Sequence, residues 1–265
     1  MRRRRTDKRR RLTEQPISRL FPNMITLAGL CCGLSAIRFA LVGRWEFSVA
    51  FIIAAALIDG MDGRIARMLG ATSLFGAQLD SLSDFVCFGI APALIMYMWA
   101  LHDIRGIGWA ITLFFCVCTA LRLARFNTGL FDDNTQPWEK QFFVGVPSPS
   151  GGILCLLPLV ISLQYADVRL PASITGIYML IIGTLMASRI PTFSGKKIRI
   201  KHEMVPFFML AGGALITLFI IEPWLCILVF GVSYLASIPF SRHTWNKYKQ
   251  NDLAVAQLHQ QDGEG

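Results

Sequence analysis

The feature of this chain that most constrains its fold is a series of long apolar runs that recur as far as residue 240. Each run has about 17–25 residues, the length at which a helix crosses the hydrocarbon core of a bilayer. Of the 265 residues 54% are hydrophobic and 16% are charged, whereas a soluble domain is about one quarter charged. The sequence therefore predicts an all-α, polytopic transmembrane helical bundle of about eight spans. Their approximate limits are 21–41, 47–68, 79–101, 107–124, 150–166, 172–188, 204–221 and 223–240. Six or seven spans remain an alternative, because only Glu222-Pro223 separates the last two runs.

The basic residues predict the orientation of these spans. With a cytoplasmic N-terminus, 22 of the 26 lysines and arginines fall in cytoplasmic segments. This asymmetry is what the positive-inside rule describes. We therefore expect a multi-pass protein of the bacterial inner (cytoplasmic) membrane.

Composition divides the chain into three parts. Residues 1–19 form a basic cytoplasmic head, 20–241 a transmembrane domain and 242–265 a polar cytoplasmic tail, of which 250–265 is expected to be disordered. The net charge is +9, and a basic run of this kind binds nucleic acid in some proteins. Because a span follows the head at once, an anionic membrane surface is the partner we expect, with no nucleic acid.

Four carboxylates lie beside the apolar runs: Asp59, Asp62, Asp80 and Asp84. Ionised side chains next to hydrocarbon are costly and usually functional. The first two are three residues apart and the last two are four apart, so on helices each pair shares one face. Two such faces make a four-carboxylate pocket, and oxygen ligands favour Mg²⁺, Mn²⁺ or Ca²⁺. The alternative is a set of interhelical ion pairs, for which Arg64 and Arg67 supply only half the positive charge.

The residues around these aspartates match a longer pattern of eight fixed positions within 26 residues. The pattern is Asp59-x₂-Asp62-Gly63-x₂-Ala66-Arg67-x₈-Gly76-x₃-Asp80-x₃-Asp84. It resembles the signature of the CDP-alcohol phosphotransferase family. These are integral membrane enzymes that move a phosphatidyl group from a CDP-linked lipid to an alcohol and release CMP.

The resemblance implies roles for individual residues and makes 20–241 the catalytic domain. It implies two divalent ions, Mg²⁺ or Mn²⁺, held by Asp59, Asp62, Asp80 and Asp84. Asp84 would also be the general base for the attacking hydroxyl. The residues implied to bind the CDP-lipid are Asn23, Thr26, Gly63, Arg67, Ser73 and Gly76. For Asn23 and Thr26 a helix cap is the alternative.

Two further segments concern the acceptor alcohol. Residues 141–149 and 121–127 resemble segments of the branch of this family that uses serine. That branch transfers the phosphatidyl group of CDP-diacylglycerol to L-serine, giving phosphatidylserine. The residues implied for serine are Arg122, Arg125, Asn127, Pro147 and Ser148, although arginines at a membrane boundary also serve by snorkelling.

Other interpretations stay open at this point. The acceptor is alternatively glycerol 3-phosphate, inositol phosphate or choline, and the basic loop 196–201 offers cations for a phosphorylated acceptor. A more distant alternative is a divalent-cation transporter, although the acids cluster in one region. From the resemblance alone we expect a homodimer.

Overall fold

The computed structural model describes residues 20–68, 70, 73–129, 142–188, 190–193 and 204–262. Within them the chain folds into helices and two short strands. The helices are α1 (Leu20–Leu41), α2 (Trp45–Met68), α3 (Leu74–Asp84), α4 (Ala91–Trp99), α5 (Arg105–Gly129), α6 (Ser148–Cys155), α7 (Leu157–Gln164), α8 (Ala172–Ala187), α9 (Val205–Ile221) and α10 (Pro223–Asp262). A π-helical segment, Phe85–Ile90, joins α3 to α4, and a 3₁₀ segment, Leu101–Ile104, precedes α5. The strands are β1 (Phe142–Val144) and β2 (Pro191–Phe193).

The predicted all-helical membrane fold is confirmed, whereas the count of eight spans is not. Among the described residues, four helical stretches are long and apolar enough to cross a bilayer: Phe21–Leu41, Leu74–Trp99, Leu101–Thr128 and Pro223–Arg242. Two shorter apolar helices are Ala172–Ala187 and Val205–Ile221. The fifth predicted run divides into α6 and α7 near Leu156, because Pro158 cannot continue the hydrogen-bond ladder of α6. The protein is an integral membrane protein, and large apolar side chains cover much of its outer surface.

The first two helices form a tightly packed antiparallel pair. The turn between them contains Gly43, whose φ of 71° lies in the left-handed region. Ala36 on α1 and Ala55 on α2 are buried, and such small side chains allow two membrane helices to approach closely. Ser48 Oγ also donates to Ala36 O at 2.7 Å. Because the two helices run antiparallel, the last turns of α2, which contain Asp59 and Asp62, lie beside the start of α1.

The π-helical segment is held by close contacts with two other helices. A Cβ on Gly33 of α1 would lie 2.5 Å from Cys87 Sγ and 3.0 Å from Cys87 Cα. A Cβ on Gly152 of α6 would lie 2.9 Å from Phe88 Cα. Glycine, which has no side chain, therefore occurs where α1 approaches Cys87 and where α6 approaches Phe88. Because the segment continues directly from Asp84, these contacts also bear on the position of that carboxylate.

The two strands, β1 and β2, lie in two different segments that separate predicted spans, one before the run 150–166 and one after the run 172–188. They pair antiparallel, with Phe142 opposite Phe193 and Val144 opposite Pro191. Gly145 follows β1 with a φ of 78°, and its N–H donates to Ile190 O at 2.9 Å. The pairing thus ties the chain before α6 to the chain after α8. Three-residue strands escape sequence analysis because their alternation is too short to recognise.

The last helix extends farther than expected. It continues through Asp262, although the sequence predicts a polar tail from residue 242 and disorder from residue 250. No glycine or proline occurs between residues 240 and 262. Without these helix breakers nothing in the local sequence ends the helix before Gly263. The division into head, transmembrane domain and tail stays a prediction, and residues 1–19 lie outside the described residues.

Candidate active site

The two aspartate pairs meet where the end of α2 lies beside α3. Carboxylate oxygens of Asp59, Asp62 and Asp80 all lie within 4.8 Å of one another. The Asp84 carboxyl is within hydrogen-bonding reach of Asp59. Asp62 is the most enclosed of the four, with 4% of its surface exposed. The structure therefore brings all four predicted carboxylates into one cluster.

This cluster has the donor set of a divalent-cation site. In the described part of the chain, no lysine or arginine forms an ion pair within 4 Å of these carboxylates. Arg64 and Arg67 are both exposed, so the ion pairs that the sequence offers as the alternative are not formed by these two arginines. Several carboxylates at such short range repel one another unless a cation lies between them. Oxygen-only ligands of this kind fit Mg²⁺, Mn²⁺ or Ca²⁺.

Two cavities adjoin the cluster. A small one of about 190 Å³ lies behind the carboxylates and is lined by Asp59, Asp62 and Asp84 together with residues of α1 and the π segment. The larger is an open cleft of about 920 Å³. Its lining residues are Pro22, Asn23, Thr26, Asp62, Gly63, Arg67, Ser73, Gly76, Ala77, Asp80, Ser81, Phe126 and Asn127. All six residues that the resemblance implies for the CDP-lipid therefore line one cleft, with two of the four aspartates in its wall.

The wall of the cleft around Gly76 leaves no room for a side chain. Ser73 caps α3, and its Oγ accepts a hydrogen bond from Gly76 N at 3.0 Å. A Cβ on Gly76 would lie 2.9 Å from Asn23 Oδ1 and 3.1 Å from Ser73 Oγ. Gly76 thus lets α3 approach the first turn of α1. Gly63 lies on the exposed side of the same wall, where a Cβ would meet nothing within 4 Å, whereas a Cβ on Gly76 would displace the side chains of Asn23 and Ser73.

Hydrogen bonds link α1 to both aspartate helices. Thr26 Oγ1 donates to Asp62 Oδ2 at 2.7 Å, and Ser83 Oγ donates to Thr26 O at 3.4 Å. The resemblance implies a nucleotide contact for Thr26 and gives Ser83 no role. The signal for Ser83 was its position three residues after Asp80, on the same face of α3. The partner of Thr26 lies 36 residues away and could not be identified from spacing.

The residues that the resemblance implies for serine do not all lie together in the structure. Arg122 Nη1 donates to Ser148 Oγ, and the guanidinium lies close enough to Asp84 and Asp59 to interact with them electrostatically. Asn127 lies in the cleft instead, where its Oδ1 accepts from Ser81 Oγ at 3.0 Å. Arg125 is exposed and lines neither cavity. Pro147 immediately precedes α6 and presents Ser148 at its first position.

The environment of Arg122 is that of a binding group. Its Nε is buried and has no hydrogen-bond partner, and Ser148 is 0% exposed. Tyr234 of α10 lies within electrostatic range of the guanidinium, and no local sequence pattern predicts this neighbour. A half-buried guanidinium whose buried Nε–H donor is unused is suited to an anionic group.

Comparison with known proteins gives a consistent result. Residues 19–235 match the family model described as CDP-alcohol phosphatidyltransferase. A Mycobacterium leprae protein named CDP-diacylglycerol–serine O-phosphatidyltransferase is 37% identical over 245 residues, which cover 88% of this chain and 79% of the relative. Proteins of the same name from Helicobacter pylori (strain J99) and Bacillus subtilis are 32% and 34% identical. Their alignments cover 68% and 62% of this chain, and 74% and 87% of the respective relatives.

Proposed function

This chain belongs to the CDP-alcohol phosphatidyltransferase family, and we propose that it transfers the phosphatidyl group of CDP-diacylglycerol to the hydroxyl of L-serine. The serine oxygen forms a bond to the lipid-side phosphorus while the bond from that phosphorus to the CMP oxygen breaks. The products are phosphatidylserine and CMP. The observation that carries the proposal is the carboxylate cluster, of which Asp62 and Asp80 line the cleft, beside the half-buried Arg122. The names of the relatives support serine as the acceptor.

The four carboxylates would hold two divalent ions, Mg²⁺ or Mn²⁺. Asp59, Asp62 and Asp80 offer oxygens to a common point, and Asp84 adjoins Asp59. When bound, such ions neutralise a diphosphate and stabilise the leaving phosphate. Asp84 would also accept the proton of the serine hydroxyl. Its place between the other carboxylates and Arg122 supports this role, because an acceptor held by Arg122 would lie beside it.

The cleft of about 920 Å³ would bind the CDP part of the lipid substrate. Arg67 would pair with the diphosphate, since a guanidinium suits phosphate oxygens. Asn23, Ser73 and Gly76, which lie together at one end of the cleft, would contact the nucleotide, with Gly63 forming the open side.

Arg122 and Ser148 would receive serine. The free Nε of Arg122 offers a donor for the serine carboxylate, and Ser148 holds the guanidinium from the other side. Asn127 would contribute from the cleft, and Pro147 would set the position of Ser148. Arg125 has the weakest support because it is exposed. The competing basic loop 196–201 lies outside the described residues. Choline has no anionic group for Arg122, whereas glycerol 3-phosphate and inositol phosphate do.

The remaining proposals concern the surroundings of the enzyme. We place it in the bacterial inner membrane with the site facing the cytoplasm, on the strength of its basic-residue distribution. The basic head would lie on the anionic membrane surface, and no nucleic acid is expected. A homodimer is proposed from the resemblance alone. Family membership favours a transferase over a divalent-cation transporter.

One assay tests the central proposal. Purified protein is given Mn²⁺ or Mg²⁺, CDP-diacylglycerol and, separately, serine, glycerol 3-phosphate, inositol phosphate or choline, and CMP is measured. We expect release above the hydrolysis background with serine only. If serine gives none and another acceptor does, the family stands and the acceptor is wrong. Metal uptake into proteoliposomes without any CMP release would favour the transporter.

The same assay tests the role of Asp84. Asp84→Asn keeps the size of the side chain but removes its basicity, so turnover with serine should be lost while binding of CDP-diacylglycerol persists. Near-normal turnover in this variant would show that another group accepts the proton. Asp103→Asn is the matched control, because Asp103 is exposed and lies at the other end of the α3–α4 span.

A further inference from the structure

Thr26 has a hydrogen-bonding arrangement that differs from the one expected of a nucleotide ligand. Its Oγ1 lies 2.7 Å from Asp62 Oδ2 and 3.2 Å from Pro22 O, and both of these atoms are acceptors. A hydroxyl has a single hydrogen to donate. Hydrogen bonds to ionised acceptors are about twice as strong as neutral ones, and the carboxylate is also the nearer acceptor. The hydrogen of Thr26 is therefore engaged by Asp62.

This engagement conflicts with donation to a diphosphate. Phosphate oxygens are themselves acceptors, so they compete with Asp62 for the one hydrogen. Thr26 is 7% exposed and Asp62 is 4% exposed, so the bond between them is shielded from water. From the side of α3, Ser83 Oγ donates to Thr26 O at 3.4 Å and helps to fix the backbone there. Thr26, Asp62 and Ser83 thus join α1, α2 and α3 at the carboxylate cluster, to which Asp62 itself belongs.

We infer that Thr26 is a positioning residue for the divalent-cation site. Its hydroxyl fixes the Asp62 carboxylate through Oδ2, alongside the backbone N–H of Gly63. The carboxylate is held where one of its oxygens lies within 4.8 Å of oxygens of Asp59 and Asp80. Outer-shell partners of this kind orient a ligand before the ion arrives, and their loss typically lowers metal affinity about 10–100-fold. The inference rests on the proposed divalent site, and it replaces direct contact with the nucleotide as the role of Thr26.

The test measures Mn²⁺ binding to detergent-solubilised protein without any CDP-lipid, by electron paramagnetic resonance of free Mn²⁺. Thr26→Val is nearly isosteric and removes the hydroxyl, and we expect its Kd for Mn²⁺ to rise about 10–100-fold. Thr26→Ser keeps the hydroxyl and should bind close to the wild-type level. Ser35→Ala is the matched control. Ser35 also lies on α1, and its hydroxyl bonds only the carbonyl of Cys31, four residues earlier.

A second readout separates the metal from the nucleotide. At saturating Mn²⁺, Thr26→Val should have the wild-type KM for CDP-diacylglycerol, while the Mn²⁺ concentration that gives half-maximal activity rises. Unchanged Mn²⁺ affinity in Thr26→Val, above all with a raised KM for CDP-diacylglycerol, would overturn the inference. If wild-type protein itself bound no Mn²⁺, the proposed site would fail, and the inference with it. Should Thr26→Val not fold, Thr26→Cys takes its place, because a thiol is a weaker donor. Unchanged affinity in that variant would overturn the inference equally.

Discussion

The contact between Gly152 and Phe88 allows a quantitative prediction about how the π-helical segment supports the site. A Cβ on Gly152 would lie 2.9 Å from Phe88 Cα, 3.0 Å from its Cβ and 3.1 Å from its carbonyl oxygen. Carbon atoms pack at about 3.5–4.0 Å. None of these atoms can move by rotating a side chain. In Gly152→Ala, α6 and the π segment must therefore separate by about half an ångström.

Two opposing effects determine how Gly152→Ala changes the free energy of unfolding. Overpacking of a well-packed interior costs about 1–3 kcal/mol. Replacing glycine by alanine inside a helix stabilises it by about 0.5–1 kcal/mol. Gly213→Ala provides the control, because Gly213 lies inside α9 and its Cβ would meet nothing within 4 Å. The control has the stabilising effect alone, so the difference between the two variants isolates the overpacking cost.

The measurement compares thermal unfolding of both variants in detergent at one scan rate. In chains of about 150–250 residues, each kcal/mol lost from the free energy of unfolding lowers the Tm by about 2–4 °C. Gly152→Ala should therefore unfold several degrees below Gly213→Ala. Its kcat should also fall with little change in KM for CDP-diacylglycerol, because Phe88 lies four residues beyond Asp84 on a continuous helix. Equal Tm values for the two variants would refute the reasoning, since the overpacking cost would then be absent.

Two further predictions concern the substrate sites. In Gly76→Ala the new Cβ displaces Asn23 Oδ1, now 2.9 Å away. Loss of the proposed Asn23 hydrogen bond to the nucleotide, worth about 1 kcal/mol, should raise the KM for CDP-diacylglycerol about fivefold, and an unchanged KM would contradict the placement of the nucleotide. Ser148→Ala leaves Arg122 Nη1 without its acceptor, at a cost of about 1–3 kcal/mol for a buried donor, so the KM for serine should rise while that for CDP-diacylglycerol stays constant. Thr128→Ala, at an exposed hydroxyl on the same helix as Arg122, is the control for Ser148→Ala, and an equal effect in both would remove Ser148 from the acceptor site.

The features that the sequence predicts well are those set by local periodicity. Each apolar run corresponds to one helix or to two consecutive ones, because a run of that length has no other way to satisfy its backbone in hydrocarbon. The two aspartate pairs face each other because their spacings are helical and α2 and α3 are adjacent in the chain. Both results depend on relations between residues that are close in sequence.

The features that the sequence does not predict depend on tertiary contacts. The π-helical segment is fixed by Gly33 and Gly152, which approach from helices distant in sequence. The β1–β2 pair joins residues about 50 positions apart, in strands too short to recognise. Within the site, the Thr26–Asp62 bond and the Arg122–Ser148 contact likewise cross between helices. The resemblance pointed to all four residues but could not show how they pair.

The π-helical segment gives a reason why one long helix can serve both a charged site and an apolar core. In an uninterrupted α-helix the face that carries Asp80 and Asp84 would continue along the same stripe into α4. A π turn typically contains one extra residue, which rotates everything beyond it by about 100°. The carboxylates can then face α2 while Ala91 and Ile95, both 0% exposed, face the core. Asp84 stands at the last position before that change, so the contacts that stabilise the π segment also determine where the proposed base is held.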